Sequence, residues 1–402
     1  MNYSLRTIIG FCFLLVFVTP ACAQSLPIGL TINTSGLNAQ YALDFKNGIE
    51  AFITAENGKK RFGKYRLALI VMEDMGKTER IYANTKRLLK QKQVLALLTE
   101  HKLNASPKIV DLAAKYNTLL LTSDIKVDSY SLNKQENLGF LSSGISEILK
   151  PARQLLIEAQ QIYLITDGSN HADNWYKVLS DSTANPVYKI SREQLNLSAN
   201  ISKSLYVLDQ NFIDAAPLVQ NITTENPTSN ILVLPQTGAT LLGNAVNHQL
   251  TPTQRQHIYY LNTVPLHKSE LTLVKRFRQD MARFNPHAST SHQAFKGYLL
   301  ASLAAESIYH SVKGLQADSI LDVVTLPFQV LDQVVGWVKH AGSDISNAEV
   351  VETFNRMKNF DNGLHKAITI NKDRVILGES WLTKMNDQDE FYEVSIKSRG
   401  FF

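Results

Sequence analysis

The sequence predicts an α/β protein with parallel sheets, arranged in two successive halves. Three observations lead to this class: an opening strand–helix–strand unit, a continued alternation of apolar strands with helices, and a second series of the same kind from about residue 145. Parallel strands need a long crossover connection, which is most often a helix, so this alternation indicates parallel sheets.

The opening unit lies between residues 27 and 73. Ile28, Leu30 and Ile32 alternate with small or polar residues, and a polar turn at 33–36 ends the strand. A helix follows, because apolar residues recur at helical spacing: Ala42, Phe45, Ile49, Phe52 and Ile53. The Asn57-Gly58 pair ends the helix, and apolar residues at 67, 69 and 71 predict the second strand.

The rest of the first half continues in the same order. Proline is tolerated at the first position of a helix, so Ser106-Pro107 predicts the start of a short one that runs to Tyr116. The other elements expected here are a helix at 77–91 and strands at 94–98, 118–122 and 138–141.

The second half begins with a helix at 145–159, which we expect to bend at Pro151. Residues 262–265 predict a crossover that leads to two long helices, at 270–284 and 291–312. The other predicted helices lie around 175–179 and from Leu241, and the predicted strands are 161–166, 187–190, 231–234, 257–261, 367–370 and 391–396.

Residues 1–23 have the pattern of an export signal. Arg6 is followed by an apolar run at 8–18 and by an A-x-A site, which predicts cleavage after Ala23. A lipid anchor on Cys22 is the alternative, although Thr19-Pro20 fits that signal poorly. The only two cysteines lie in this segment, so a chain cleaved after Ala23 has no disulfide and depends on its core for stability.

The charge pattern does not indicate a nucleic-acid partner. The formal net charge is +5, and Lys and Arg are scattered along the chain. Their densest run, at 59–61, falls in a predicted loop, where a solvated turn is the simpler interpretation.

Four stretches carry a resemblance to a known family. They read IGLTINTSGLNAQYALDFKNGIEAF, ANTKRLLKQKQVLALLTE, FNPHASTSHQAFKGYLLASLAAESI and FDNGLHKAITINKDRVILGESWLTKM. In this order and spacing the chain resembles the type I periplasmic solute-binding proteins of ABC transporters, in the Leu/Ile/Val-binding branch. The resemblance covers nearly all of the chain after residue 23.

This resemblance implies two Rossmann-like α/β lobes with parallel sheets, joined by three hinge crossovers and closing around a solute. We expect the N-terminal lobe to comprise 24–143 and 264–345, and the C-terminal lobe to comprise 144–263 and 346–402. The implied location is the periplasm of a bacterium, and the implied partners are a small-molecule solute and an inner-membrane ABC permease or receptor. We expect a monomer with no cofactor.

The candidate site residues follow the predicted strands, because open α/β sheets bind ligands beyond the carboxyl ends of their strands. Relatives that bind amino acids hold the ligand carboxylate with hydroxyls and helix N-termini, a role that Ser106 fits, and the ammonium with an acidic residue. Asp167 is the candidate for that acid. The full set of expected ligand-binding residues is Ser35, Glu100, His101, Ser106, Thr122, Ser123, Asp167, Gln236 and Asn262.

Two loops depart from the family pattern. Small residues are replaced by Glu100-His101-Lys102 after the third strand and by Asp124-Ile125-Lys126 after the fourth. These side chains favour a polar or cationic solute over a plain aliphatic amino acid. Each of them also has a simpler interpretation as a solvated loop residue or helix cap. No spacing of metal ligands such as HExxH is present, so we expect no metal site.

Residues 313–339 look like an insertion relative to the family. Their centre, at 320–338, is too apolar for an ordinary surface helix, but Asp322, Pro327 and Asp332 argue against a membrane span. One interpretation is a helical hairpin packed on its own lobe, and the other is an exposed patch that docks a partner.

Two functions are compatible with these patterns. The first is binding of a small polar solute for delivery to an ABC transporter. The second is a periplasmic ligand sensor or regulatory adaptor that docks a membrane receptor or cell-envelope partner. An enzyme is not expected, because the sequence has no G-x-S-x-G motif, no P-loop and no convincing pair of carboxylates.

Overall fold

The computed structural model describes residues 24–36, 39–100, 107–126, 135–168, 170–195, 197, 203–324, 345–357, 363–364, 375–388 and 390–394. For residues 170–171 and 313–324 it describes the helix but not the side chains. The predicted signal peptide at 1–23 and the predicted strand at 367–370 lie outside the described residues.

The first sheet has six parallel strands within the described ranges. They are β1 (Gln24–Ile32), β2 (Tyr65–Glu73), β3 (Ala96–Thr99), β4 (Leu119–Lys126), β5 (Leu138–Gly144) and, from late in the chain, β11 (Val375–Leu377). Their order in the sheet is β11-β5-β4-β3-β1-β2. Every strand pair in the described part of this sheet is parallel, as the sequence predicts.

Helices cover both faces of this sheet. They are α1 (Ala39–Gly58), α2 (Thr78–Lys90), α3 (Lys108–Lys115) and three helices from later in the chain: α10 (Thr272–Phe284), α11 (His292–Val324) and α12 (Asn347–Arg356). The apolar stripes of α1, α10, α11 and α12 share one core with the strands. Helices α2 and α3 bury a second cluster on the other face.

The second sheet has seven strands among the described residues. They are β6 (Gln161–Thr166), β7 (Val187–Ile190), β8 (Ser204–Asp209), β9 (Asn230–Val233), β10 (Ile258–Asn262), β12 (Trp381–Met385) and β13 (Phe391–Glu393). The sheet order is β13-β12-β10-β9-β8-β6-β7. Strand β12 pairs antiparallel with β10, and β13 pairs antiparallel with β12, so this sheet ends in an antiparallel edge.

The described residues of this second lobe form six α-helices: α4 (Ile145–Ile148), α5 (Arg153–Glu158), α6 (Asn170–Ser182), α7 (Phe212–Glu225), α8 (Ala239–Val246) and α9 (Pro252–Arg255). The predicted helix at 145–159 is broken into α4 and α5 by a 3₁₀ turn at Lys150–Ala152, which contains Pro151. This break agrees with the expected bend, because proline cannot donate the hydrogen bond of a continuous helix.

The sequence prediction missed β8 and α7, since it treated the region before residue 231 as a polar stretch. The structure makes β8 a fully buried strand between β6 and β9. A strand buried on both faces has no alternation of apolar and polar residues, so SLYVLD carries no period-two signal. Helix α7 begins at the side-chain cap Asn211 and contains Pro217.

The third crossover lies later in the chain than expected. The predicted boundary at 345/346 assigned everything after it to the second lobe. In the structure, α12 packs against α11, and β11 pairs in parallel with β5, so both belong to the first lobe. The chain enters the second sheet only after Gly378–Ser380, because the apolar side chains of α12 and β11 complete the first core.

The expected insertion begins as a continuation of α11. This helix runs on to Val324, past the predicted end at 312. Residues 325–339 of the insertion lie outside the described residues. Within the part of the chain that the structure describes, no helix combines the length and apolar character needed to cross a membrane.

Candidate functional site between the lobes

A narrow pocket with several polar side chains in its walls lies between the two lobes. Its atom-free space is about 330 Å³, including its opening to solvent. Helix α1 and the start of α11 form one wall, and the loops at the carboxyl ends of β9 and β10 form the other. The lining residues are Tyr41, Asp44, Ser291, His292, Gln293 and Lys296 from the first wall and Pro235, Gly238, Ala239, Thr240, Leu241 and Asn262 from the second.

Asp44 fixes the first wall. The Ser291 hydroxyl donates to Asp44 Oδ2 at 2.6 Å, and Gln40 Nε2 donates to Asp44 Oδ1 at 2.7 Å. The Ser291 oxygen in turn accepts from the backbone N–H of Ala294 at 3.2 Å, so it caps the start of α11. Asp44 is 1% exposed, and this burial raises the pKa of its carboxyl group.

His292 connects the two walls. Its Nδ1 lies 3.0 Å from the Thr240 hydroxyl on α8, and its ring stands edge-on to His267 and Phe391, at 5.4 Å each. Burial, together with His267 and Lys296, lowers the pKa of His292 well below its usual value. The imidazole is therefore neutral at pH 7. Its Nε2 is buried and has no hydrogen-bond partner among the described residues.

Charged groups approach the pocket from the ends of β3 and β4. Gln293 Nε2 donates to Glu100 Oε2 at 3.0 Å, so the side chain that follows β3 is connected to α11. Lys296 is 7% exposed, and its pKa is lowered to about 8 by burial, against the attraction of Glu100 and Asp124. Burial and the same two acids raise the pKa of Tyr41.

Only some of the predicted site residues lie at or near the pocket. Asn262 lines the pocket, and its amide donates to the Thr383 hydroxyl at 2.9 Å. Glu100 reaches the pocket through Gln293. Thr122 and Ser123 lie in β4, where the buried Thr122 hydroxyl accepts from the backbone N–H of Asp124 at 3.0 Å.

The other predicted residues lie off the pocket wall or outside the described residues. Gln236 Nε2 donates to the buried carboxylate of Asp209 at 2.5 Å. Ser35 and Asp167 are exposed, and the Ser35 hydroxyl donates to Asn33 Oδ1 at 3.0 Å. His101 and Ser106 belong to 101–106, which is not described. The ligand-binding role of all nine residues stays a prediction.

Most of the lining residues are not among the predicted ones. The predicted residues lie in loops that follow strands, whereas the first wall is formed by α1 and the start of α11. A signal was present, because the first turns of α11 carry His292, Gln293 and Lys296 in a helix that is otherwise apolar there. Buried polar residues at the start of such a helix need partners, and this requirement predicts a polar site.

The described residues offer no cluster of three or more His, Cys, Asp or Glu side chains that could hold a metal ion. The pocket chemistry consists of hydroxyls, amides, one imidazole, a carboxylate and an amine. Such a set can orient a small polar molecule by hydrogen bonds and charge.

Comparisons with solved structures show the fold. A possible leucine/isoleucine/valine-binding protein from Rhodopirellula baltica matches with a TM-score of 0.73 at 17% identity, over 94% of this chain and 98% of its own. The branched-chain amino acid transporter substrate-binding protein LivJ from Streptococcus pneumoniae, solved with isoleucine, matches with a TM-score of 0.70 at 15% identity. The match covers 92% of this chain and 100% of LivJ. A branched-chain amino acid ABC transporter protein from Thermus thermophilus, with bound valine, matches with a TM-score of 0.72 at 11% identity. The match covers 94% of this chain and 97% of that protein.

No protein-family model matches the sequence, and no curated protein matches it either. The solved structures nevertheless span nearly the whole chain and nearly the whole of their own length. The chain therefore has the type I periplasmic-binding-protein fold, and the resemblance drawn from the sequence is confirmed at the level of fold.

Proposed function

We propose that this protein binds a small polar solute in the pocket between its lobes, without catalysis, and delivers it to an ABC transporter in the cell envelope. One observation carries the proposal: polar side chains from both lobes line a single pocket at the carboxyl ends of strands. A solute that contacts both walls would favour the closed arrangement, because it gains contacts there that the open arrangement lacks. The similar structures, which include proteins described with bound isoleucine and valine, support the same role.

The pocket is narrow, and the lobes would have to separate to admit a solute, which favours a small one. The compartment follows from the proposal: the predicted export signal would place the mature chain in the periplasm, where such solutes are collected.

A ligand screen tests the proposal. Mature protein, unfolded and refolded to remove copurified ligand, is heated with amino acids, polyamines, short amides, organic acids and short peptides. A ligand at 100 times its dissociation constant stabilises the folded protein by about 2.7 kcal/mol. We expect at least one class to raise the melting temperature and to compact the protein in small-angle scattering. Stabilisation by none of these classes would contradict solute binding.

Variants of predicted site residues provide a second test. We expect Asn262→Ala to weaken binding of the solute found in the screen by about tenfold, because it removes a polar partner from the pocket wall. Glu100→Ala and Asp167→Ala test the two acidic candidates, including the proposed ammonium contact of Asp167, in the same assay. Isothermal titration at pH 7 measures the affinities.

The control variant is Glu79→Ala, which removes an exposed carboxylate from α2. It should bind as the wild type does. If Glu100→Ala and Asp167→Ala also bind as the wild type does, the proposed assignment of these residues to the site is wrong, whereas solute binding itself is judged by the screen.

A further inference from the structure

Lys296 is a buried cation that forms no ion pair with any described residue. It is 7% exposed and it lines the pocket. Burial of a charged amine is costly unless an opposite charge or hydrogen bonds compensate it. Glu100 and Asp124 attract the proton of Lys296, but burial outweighs them, so the compensation is incomplete.

Lys296 lies in the second turn of α11, beyond the first turn over which the helix dipole acts, so the cost of its charge comes from burial. A bound anion would compensate this cost.

The opposite wall presents a second anion-binding feature. Helix α8 begins at Gly238, whose backbone has a φ of +84°, and no side chain caps the helix. The first N–H groups of a helix have no intrahelical acceptor, and they form a favourable position for an anion. Gly238, Ala239, Thr240 and Leu241 all line the pocket together with Lys296.

The remaining groups of the pocket do not compete for this role. Both oxygens of Asp44 already accept hydrogen bonds, from Gln40 and Ser291. His292 is neutral, so it does not compete with Lys296 for an anion.

We propose that the pocket binds the carboxylate of a small organic acid, held between the Lys296 amine of the first lobe and the N-terminal N–H groups of α8 in the second. This inference rests on the proposed solute-binding function and adds the chemical class of the solute. It also moves the carboxylate from Ser106, where the resemblance placed it, to the interface between the two lobes. A carboxylate in this position bridges the lobes and favours closure.

Matched pairs of probes test the inference. Refolded protein is titrated with 3-methylbutanoate, succinate and benzoate and with their amides, which have nearly the same shape and no charge. We expect at least one carboxylate to bind more than tenfold more tightly than its amide. Lys296→Met should weaken the binding of that carboxylate by about 30-fold or more, because loss of one partner of a buried charge pair is costly. The affinity for the amide should stay unchanged.

Two further variants keep the test independent of folding. Lys296→Gln retains a polar side chain and should lose the same selectivity if the charge is what matters. Lys384→Met removes another partly buried lysine, on β12 of the second lobe, and should bind carboxylates as the wild type does. Thermal unfolding without ligand should show that Lys296→Met is at least as stable as the wild type, because an uncompensated buried charge has been removed.

Three other results would overturn the inference. If amines bind and Lys296→Met raises the affinity for them, the pocket selects cations through Glu100 and Asp124. That result overturns the inference, but solute binding stands. If inorganic phosphate binds and no carboxylate does, the carboxylate assignment is wrong. If neither these probes nor the broad panel bind, both the inference and the proposed function fail.

Discussion

Replacing Gly48 or Gly297 by alanine should destabilise the protein by about 3 kcal/mol, although alanine normally strengthens a helix by about 1 kcal/mol relative to glycine. The two glycines lie where α1 crosses α11. A Cβ on Gly48 would lie 1.8 Å from the carbonyl oxygen of Ala294, and a Cβ on Gly297 would lie 2.1 Å from that of Phe45. Both obstacles are backbone atoms, so the helices themselves must separate.

The consequence of such a separation extends through the first core. Phe52 and Tyr298 meet edge-on at 5.1 Å across the same crossing, and Phe277 lies against Tyr298 at 5.4 Å. A shift of α11 would loosen these contacts, and close packing in a protein core leaves little freedom to restore them. It would also move Lys296 and the rest of the pocket wall.

Equilibrium unfolding in urea measures the effect, with Gly58→Ala as the matched control. Gly58 is the last residue of the same helix, and a Cβ placed there meets nothing within 4 Å. We expect the control to unfold at the wild-type urea concentration or slightly above it. If Gly48→Ala and Gly58→Ala have the same midpoint, the close crossing of the two helices is not what positions α11.

Replacing Glu56 by glutamine should have the second large effect, a loss of about 2 kcal/mol at pH 7. Glu56 is 1% exposed near the end of α1. Its carboxylate pairs with Lys59 at 2.8 Å, with Arg61 at 3.8 Å and with Arg276 on α10. The neutral amide would leave these cations without their shared counter-charge and would release α10 from α1.

The pH dependence has a definite sign. Burial opposes the charge of Glu56, but the hydrogen bond from Lys59 and the charges of Arg276, Lys59 and Arg61 more than offset it, so its pKa is lowered from the ordinary value of 4.5. A carboxyl group whose folded pKa is lowered stabilises the protein above its unfolded pKa and loses that contribution as the pH falls through the folded value. The difference between wild type and Glu56→Gln should therefore be full at pH 6–8 and should shrink below about pH 4.5.

Urea unfolding at a series of pH values measures this difference, because urea, unlike guanidinium, does not screen charge. The control is Glu50→Gln on the same helix, whose carboxylate pairs with Lys46 at 2.9 Å and is 37% exposed. Exposed pairs contribute little, so we expect a change of about 0.5 kcal/mol or less. A Glu56→Gln variant that is no less stable than Glu50→Gln would show that the cluster does not stabilise the first lobe.

Local patterns predicted most elements of the fold. Strands β6 and β7 have the predicted bounds, and α1 forms where apolar residues recur at helical spacing. The failures have a common cause. Strand β8 is buried on both faces and has no alternation, and β11 and α12 join the first lobe through contacts with residues more than 200 positions earlier. Only the folded chain brings those partners together.

For the candidate site, too, local patterns identified only part of the residues. The sequence identified the loops after the strands, and Asn262 from one of them does line the pocket. It did not identify Asp44, His292 or Lys296, because each of these is a helix residue that local patterns assign to a core or a solvated face.

The sequence by itself determined the class of this protein: alternating strands and helices, and an apolar period for most elements. These features are local, and they follow from backbone geometry and from the burial of apolar side chains. The tertiary structure alone decided which lobe each late segment joins and which polar residues share a pocket. Those outcomes depend on the approach of α1 to α11 and of α11 to α8, and the pairing of distant chain segments is not encoded in any single stretch of residues.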